Sequence, residues 1–131
     1  MVLVQVEPLK EFNVKFVESR KLEKDKKMSN KAKFKIGQII HHKLFDYTGV
    51  IFDIDPTFQG SDEWYEQVAK SHPPKNNPWY HVLVHAAEHS TYVAERNFDL
   101  EEHPKEIQNP LVNSFFNKFD GLQYNLKNRP N

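Results

Sequence analysis

Cysteine is absent from the 131 residues. Neither a disulfide framework nor a thiolate metal site can form. No apolar run approaches the ~18 residues that a membrane-crossing helix needs. The opening MVLVQVEP is too short and too soon acidic for a secretory signal. A soluble, cytoplasmic protein with no membrane partner is expected. Internal repeats are missing, which excludes a repeat array. A Ser-His-Asp order, a phosphate loop and an HExxH-type motif are missing too, so no enzyme class announces itself. Charge of one sign is not in excess either: 18 Lys/Arg stand against 18 Asp/Glu. What remains is the length of one small domain with appendages.

The neutral total hides a division. Residues 1–35 hold ten Lys/Arg against five Asp/Glu, and the remaining chain holds eight against thirteen. The arm is basic and the body acidic. Phosphate affinity comes from clustered cations, so an acidic body is not a general phosphate-binding surface. If nucleic acid binds, the basic arm or a local patch must carry it. The run RKLEKDKKMSNKAK, residues 20–33, reads equally as a solvated tether.

Three parts follow along the chain: a helical, basic N-terminal arm over 1–33, a β-rich domain over 34–104, and a C-terminal helix and tail over 105–131. Within the arm, helix character covers residues 7–28, with Pro8 suited to a first helical position and Leu9, Phe12 and Phe16 at helical spacing. In the middle, IGQIIHH and GVIFDID are short β-rich runs, joined by KLFDYTG with Asp46 and Gly49 suited to a turn. Val50, Phe52 and Ile54 alternate with Ile51, Asp53 and Asp55, the pattern of a half-buried strand, and Pro56 stops it. WYHVLVHA alternates again, AEHS turns, TYVAE returns, and FDL adds a fifth short strand. A mainly β fold is expected: a small antiparallel β-barrel of SH3-like size, with Val50, Phe52, Ile54, Val82 and Val84 in its core, flanked by N- and C-terminal helices. Between the hairpins, SDEWYEQVAK suits a short helix with Ser61 as N-cap and Asp62 and Glu63 in its first turn. At the end, Pro110 opens a helix carrying Leu111, Phe115 and Phe119, with Gly121 at its C-terminus.

Seven histidines invite a metal site. His81, His85 and His89 recur every four residues, but on a strand that spacing spans ~13 Å. His41 and His42 are adjacent on a strand and point to opposite faces. Zinc needs several convergent ligands, so no metal and no cofactor are expected. Asp53 and Asp55 share one strand face. Paired carboxylates can do acid–base work if one is held protonated, or they can bind backbone N–H groups at a strand end. With no companion groups, catalysis is not expected. The pair terminates the strand and presents a polar surface beside Trp79. Trp79 and Tyr80 are core anchors or stacking platforms, with core favoured for Tyr80 because it alternates with Val82 and Val84.

The blocks IGQIIHHKLFDYTGVIFDIDP, NPWYHVLV and TYVAERNF, in that order, resemble the YccV-like domain family, the domain of bacterial HspQ-type heat-shock proteins. The resemblance covers residues 34–104. It implies a small β-barrel, commonly trimeric, and a non-enzymatic role in stress response and protein turnover. It implies partners: a Lon-like protease, for which members act as substrates and specificity enhancers, the initiator DnaA, and hemimethylated origin DNA. It carries over no catalytic residue. The binding candidates it places are His41 or His42, Tyr47, Asp53, Asp55, Trp79, His81, Tyr92 and Glu95, beside Gly49, Pro56, Tyr80 and Ala94. A homo-trimer is expected, held in part by the Leu9/Phe12/Phe16 and Leu111/Phe115/Phe119 stripes packing between subunits.

Overall fold

The computed structural model describes residues 32–127. The expected helix over 7–28, with its Leu9/Phe12/Phe16 stripe, lies outside the described residues. Five strands build one antiparallel sheet: β1 (Ile39–His42), β2 (Thr48–Asp55), β3 (Trp79–Val84), β4 (Ser90–Ala94) and β5 (Phe98–Leu100), in the order β4-β3-β2-β1-β5. The sheet is open, with β4 and β5 as its two ends, and not the closed barrel expected. A 3₁₀ turn, Glu95–Asn97, leads from one end strand to the other. No described helix is long and apolar enough to cross a membrane.

One irregularity decides which side chains face inward. On β2, Val50 pairs with Leu83 and Ile51 with Val82, but the next pair is Asp53 with His81. Phe52 is the extra residue of a β-bulge, and a bulge shifts every following side chain to the other face. Val50 and Phe52 join one core layer with Ile39 and Leu83, while Ile51 and Ile54 join another with Tyr80, Val82 and Phe98. Of the five expected core residues, Val50, Phe52, Val82 and Val84 are buried and Ile54 is half-buried. Gly49, expected in the turn, sits inside β2, where a Cβ would meet the Val82 side chain at 2.5 Å and the Leu83 carbonyl at 2.6 Å.

Both faces of β3 are buried, so each needs a cover. Segment 56–78 covers one side. Its helix α1 (Asp62–Val68) begins as the sequence requires, with Ser61 Oγ accepting from Trp64 N–H at 3.0 Å and Asp62 and Glu63 in the first turn. The C-terminal segment covers another. Its expected helix is a single turn, α2 (Val112–Phe115), after which Phe116 is extended and bridges Leu126. Leu111 remains 40 % exposed, while Phe115 packs on Phe52 at 4.9 Å between ring centres and Phe119 packs against the same layer. Phe115 and Phe119 of the C-terminal stripe therefore cover their own sheet, at roughly 1.5–3 kcal/mol per fully buried side chain, while Leu111 stays at the surface.

Gly37 ties this cover to the sheet. Its N–H donates to Ile51 O at 2.8 Å and its carbonyl accepts from Tyr124 N–H at 2.9 Å. It sits at φ +98°, and a Cβ there would lie 2.0 Å from Tyr124 O. The left-handed conformation alone costs a non-glycine residue ~1–2 kcal/mol, and the backbone clash adds to it. Gly37→Ala is expected to lower the urea midpoint by more than that conformational cost explains; an unchanged midpoint would contradict this junction.

Candidate functional site

The bulge at Phe52 turns both carboxylates of β2 inward, where Asp53 and Asp55 are fully buried. The sequence reading had them present a polar surface beside Trp79. It missed the bulge, which exchanges the two faces. Opposite them on β3 stands His81, with Nε2 2.9 Å from Asp55 Oδ2. From β4, the Tyr92 hydroxyl donates to the same Oδ2 at 2.6 Å. The rings of His81 and Tyr92 lie 4.5 Å apart. Asp53 Oδ1 accepts the N–H of Ile54 at 2.9 Å. A buried carboxylate persists only when charge and hydrogen bonds meet it. Three adjacent strands supply those partners here.

A cluster of aromatic rings roofs this group. Trp79 and Tyr92 stand 5.1 Å apart, Phe58 lies 4.8 Å from Trp79, and Trp64 from α1 closes on both. Trp79 is fully buried and its indole Nε1–H donates to Pro74 O at 3.1 Å. It anchors the connection 56–78 rather than offering a stacking platform. Tyr80 is core as well, its hydroxyl donating to Glu95 Oε2 at 2.5 Å. Burial first, then that bond to Glu95, pushes the Tyr80 phenol pKa far above its ordinary value.

His41 and His42 point to opposite sides, as adjacent strand residues must. The half-exposed His41 places Nε2 2.7 Å from Asp46 Oδ1 and Nδ1 3.4 Å from Glu101 Oε1. His42 is fully buried. Its Nδ1 accepts the N–H groups of Leu44 and Phe45, each at 3.1 Å, and its ring stacks on Phe45 and Tyr47. Burial, with the neighbouring His41 charge second, lowers the His42 pKa to about 4. Tyr47 Oη lies 2.7 Å from Thr91 Oγ1, and burial pushes its phenol pKa strongly up.

The regular histidine spacing assembles nothing. His85 turns away to accept Gln108 N–H at 3.0 Å, and burial, then the Lys105 charge, lowers its pKa. The group among the described residues whose geometry could surround a cation is Asp53, Asp55 and His81, with ligand atoms all within 4.8 Å of one another. The bulge brings them together, not the sequence spacing. A divalent ion there would displace the proton between His81 and Asp55, because ligands must be deprotonated.

Sequence reasoning missed two further features. Asn109 is buried and holds the C-terminal segment on the sheet: its Nδ2 donates to Val84 O at 2.9 Å and His89 O at 3.1 Å, and its Oδ1 accepts from Leu111 N–H at 3.0 Å. No pattern in the sequence marks it. The second is a surface cleft of about 170 Å³ lined by Lys33, Pro74, Asn77, Ala94, Glu95 and Arg96. Only the basic end of the arm hinted at it.

The binding candidates thus divide. Asp53, Asp55, Trp79, His81 and Tyr92 meet in one buried cluster. His42 and Tyr47 stack at the β1–β2 turn, His41 faces Asp46 and Glu101, and Glu95 lies at the cleft. Residues 32–123 match the model of a family described as hemimethylated DNA-binding protein YccV-like, a span that runs past the expected boundary at 104 into the C-terminal cover. The chain belongs to the YccV-like family.

Proposed function

We propose that this chain is a non-enzymatic binding module that engages hemimethylated DNA. The family match over residues 32–123 carries this reading. Charge supports a particular form of it. The described body is acidic, with nine Lys/Arg against thirteen Asp/Glu over 32–127, so contact falls to a local basic patch and the arm. Binding measured by fluorescence anisotropy is expected to be tighter for a duplex methylated on one strand than for the unmethylated duplex. The logarithm of affinity should fall linearly with the logarithm of salt, with a slope of about −0.9 per phosphate contact. A protein that binds neither duplex at low salt sinks the reading.

A second reading is an HspQ-like adaptor or specificity enhancer for Lon-type proteolysis, with DnaA as a further protein partner. Four exposed leucines favour it: Leu44, Leu100, Leu111 and Leu122. Contacts resting on apolar surface depend little on salt, unlike phosphate contacts. A cytoplasmic homo-trimer goes with either reading. Phe115 does not serve as its glue, because it is buried in its own core, and Leu111 is the member of the C-terminal stripe left at the surface. Light scattering at tens of micromolar decides the assembly.

A further inference from the structure

We propose that the cleft between Lys33 and Arg96 is a binding site for a backbone phosphate of DNA, the point at which the basic arm and the folded domain grip the same strand. The inference rests on the DNA-binding reading above and names the surface that performs it.

Three segments distant in the sequence converge there. Lys33 comes from the start of the described chain, Pro74 and Asn77 from the connection 56–78, and Ala94, Glu95 and Arg96 from the end of β4 and the 3₁₀ turn. Two cations and one amide donor line a space of about 170 Å³. At ~30 Å³ of liquid volume per water, that equals five or so waters and admits one tetrahedral phosphate group. An arginine has five N–H donors in a planar fork that suits phosphate. Only Nη2 of Arg96 has a described bond, to Ser71 O at 2.7 Å, and that bond orients the guanidinium.

The walls are held before any ligand arrives. Asn97 Nδ2 contacts Ser71 Oγ at 3.4 Å, Trp79 Nε1–H holds Pro74 O, and Glu95 N–H donates to Pro78 O at 3.2 Å. Among the described residues, Glu95 is the one anion in the wall. Its Oε2 already accepts the backbone N–H of Lys33 at 3.0 Å and the Tyr80 hydroxyl. Those two donors offset part of its charge and fix it, so the lining keeps an excess of one positive charge. Fixed donors around a small concavity favour an anion because little ordering is left to do on binding.

The sequence extends the argument. Lys33 is the last of seven cations in residues 20–33, which contain only Glu23 and Asp25 as anions. The cleft therefore begins where the basic run ends. The acidic remainder of the domain would repel a polyanion elsewhere, and like charge along the strand's path disfavours other registers.

The test uses the full chain and a duplex methylated on one strand, read by anisotropy between 50 and 200 mM salt. The double variant Lys33→Gln, Arg96→Gln removes one phosphate contact and is expected to lower the salt slope by about 0.9, which is ~8-fold in affinity at 0.1 M salt. The loss should be equal for methylated and unmethylated duplexes, because phosphate contacts position and do not specify. The charge-matched control Lys105→Gln, Lys118→Gln alters two exposed lysines elsewhere and should leave slope and affinity nearly unchanged. Lys33→Gln alone keeps the backbone bond to Glu95 and should remove about half of the slope change. Far-UV circular dichroism establishes that each variant folds. Wild-type protein that binds DNA while the double variant keeps its slope overturns the cleft and leaves the DNA reading standing. Wild-type protein that binds no duplex overturns both.

Discussion

Asp55→Ala is expected to destabilise the protein by ~3 kcal/mol or more, because it removes the acceptor shared by two buried polar side chains, at ~1–3 kcal/mol for each buried group left unsatisfied. Domain stabilities lie at ~5–15 kcal/mol, so this single change could leave the chain marginally folded. The reason is the position of Oδ2, which receives both the His81 imidazole and the Tyr92 hydroxyl in an interior closed by aromatic rings. Asp55→Asn keeps the shape and one acceptor, and should cost less, ~1–3 kcal/mol. Tyr92→Phe removes the hydroxyl's bond to Asp55 and its acceptance of Gln59 N–H at 2.9 Å, and should cost ~1.5–3 kcal/mol. Urea unfolding of the three variants checks the order. If Asp55→Ala unfolds within 1 kcal/mol of wild type, the cluster is not what holds β2, β3 and β4 together, and these residues return to candidacy as a binding site.

That outcome matters for function as well as stability. The resemblance places Asp53, Asp55, Trp79, His81 and Tyr92 among the pattern's polar and aromatic residues, and such residues invite a binding role. Their burial makes them the internal frame on which connection 56–78 rests. That connection supplies Pro74 and Asn77 to the basic cleft. The cluster can thus act on the surface indirectly, by fixing the loop that forms one wall.

How much of this was legible in the sequence varies by element. The five strands and the helix cap at Ser61 were legible, because period-two alternation and an N-cap serine are local signals. The bulge was not. A single extra residue leaves the alternation of Val50, Phe52 and Ile54 intact on paper while reversing which face Asp53 and Asp55 meet. The C-terminal segment misled in another way. Leu111, Phe115 and Phe119 have helical spacing, yet the chain makes one turn and then pairs Phe116 with Leu126. Contact with the sheet overrode a short-range pattern that a lone segment could not sustain. The cleft joins Lys33 to Arg96, and no local pattern reports a contact made across most of a domain.

Acid should weaken this protein through His42, by about 3 kcal/mol between pH 6.5 and pH 4. The imidazole is fully buried at the β1–β2 turn and accepts two backbone N–H groups at Nδ1. The neutral ring must then carry its proton on Nε2, which is enclosed with no hydrogen-bond partner among the described residues. Protonating Nδ1 would break both amide bonds and place a charge in the interior. The folded state accordingly lowers the pKa from 6.5 to about 4. Because that value lies below the unfolded one, the unfolded chain binds the proton first. Stability is fully present above pH 6.5, declines as pH falls, and the loss is complete below about 4. At ~1.36 kcal/mol per pH unit the window amounts to about 3 kcal/mol. His42→Asn places an amide oxygen where Nδ1 stood and cannot titrate, so its stability should vary less across the same window. Urea midpoints of both proteins at pH 7.5, 6.5, 5.5 and 4.5 give the comparison, and the carbon-bound ring protons of His42 followed by NMR give the titration directly. Leu44, one of the exposed leucines of the adaptor reading, is carried on this turn, so a neutral His42 also sets that surface. A His42 ring that titrates near 6.5 in the folded protein, or an Asn variant with the wild-type pH slope, would remove the imidazole from this role.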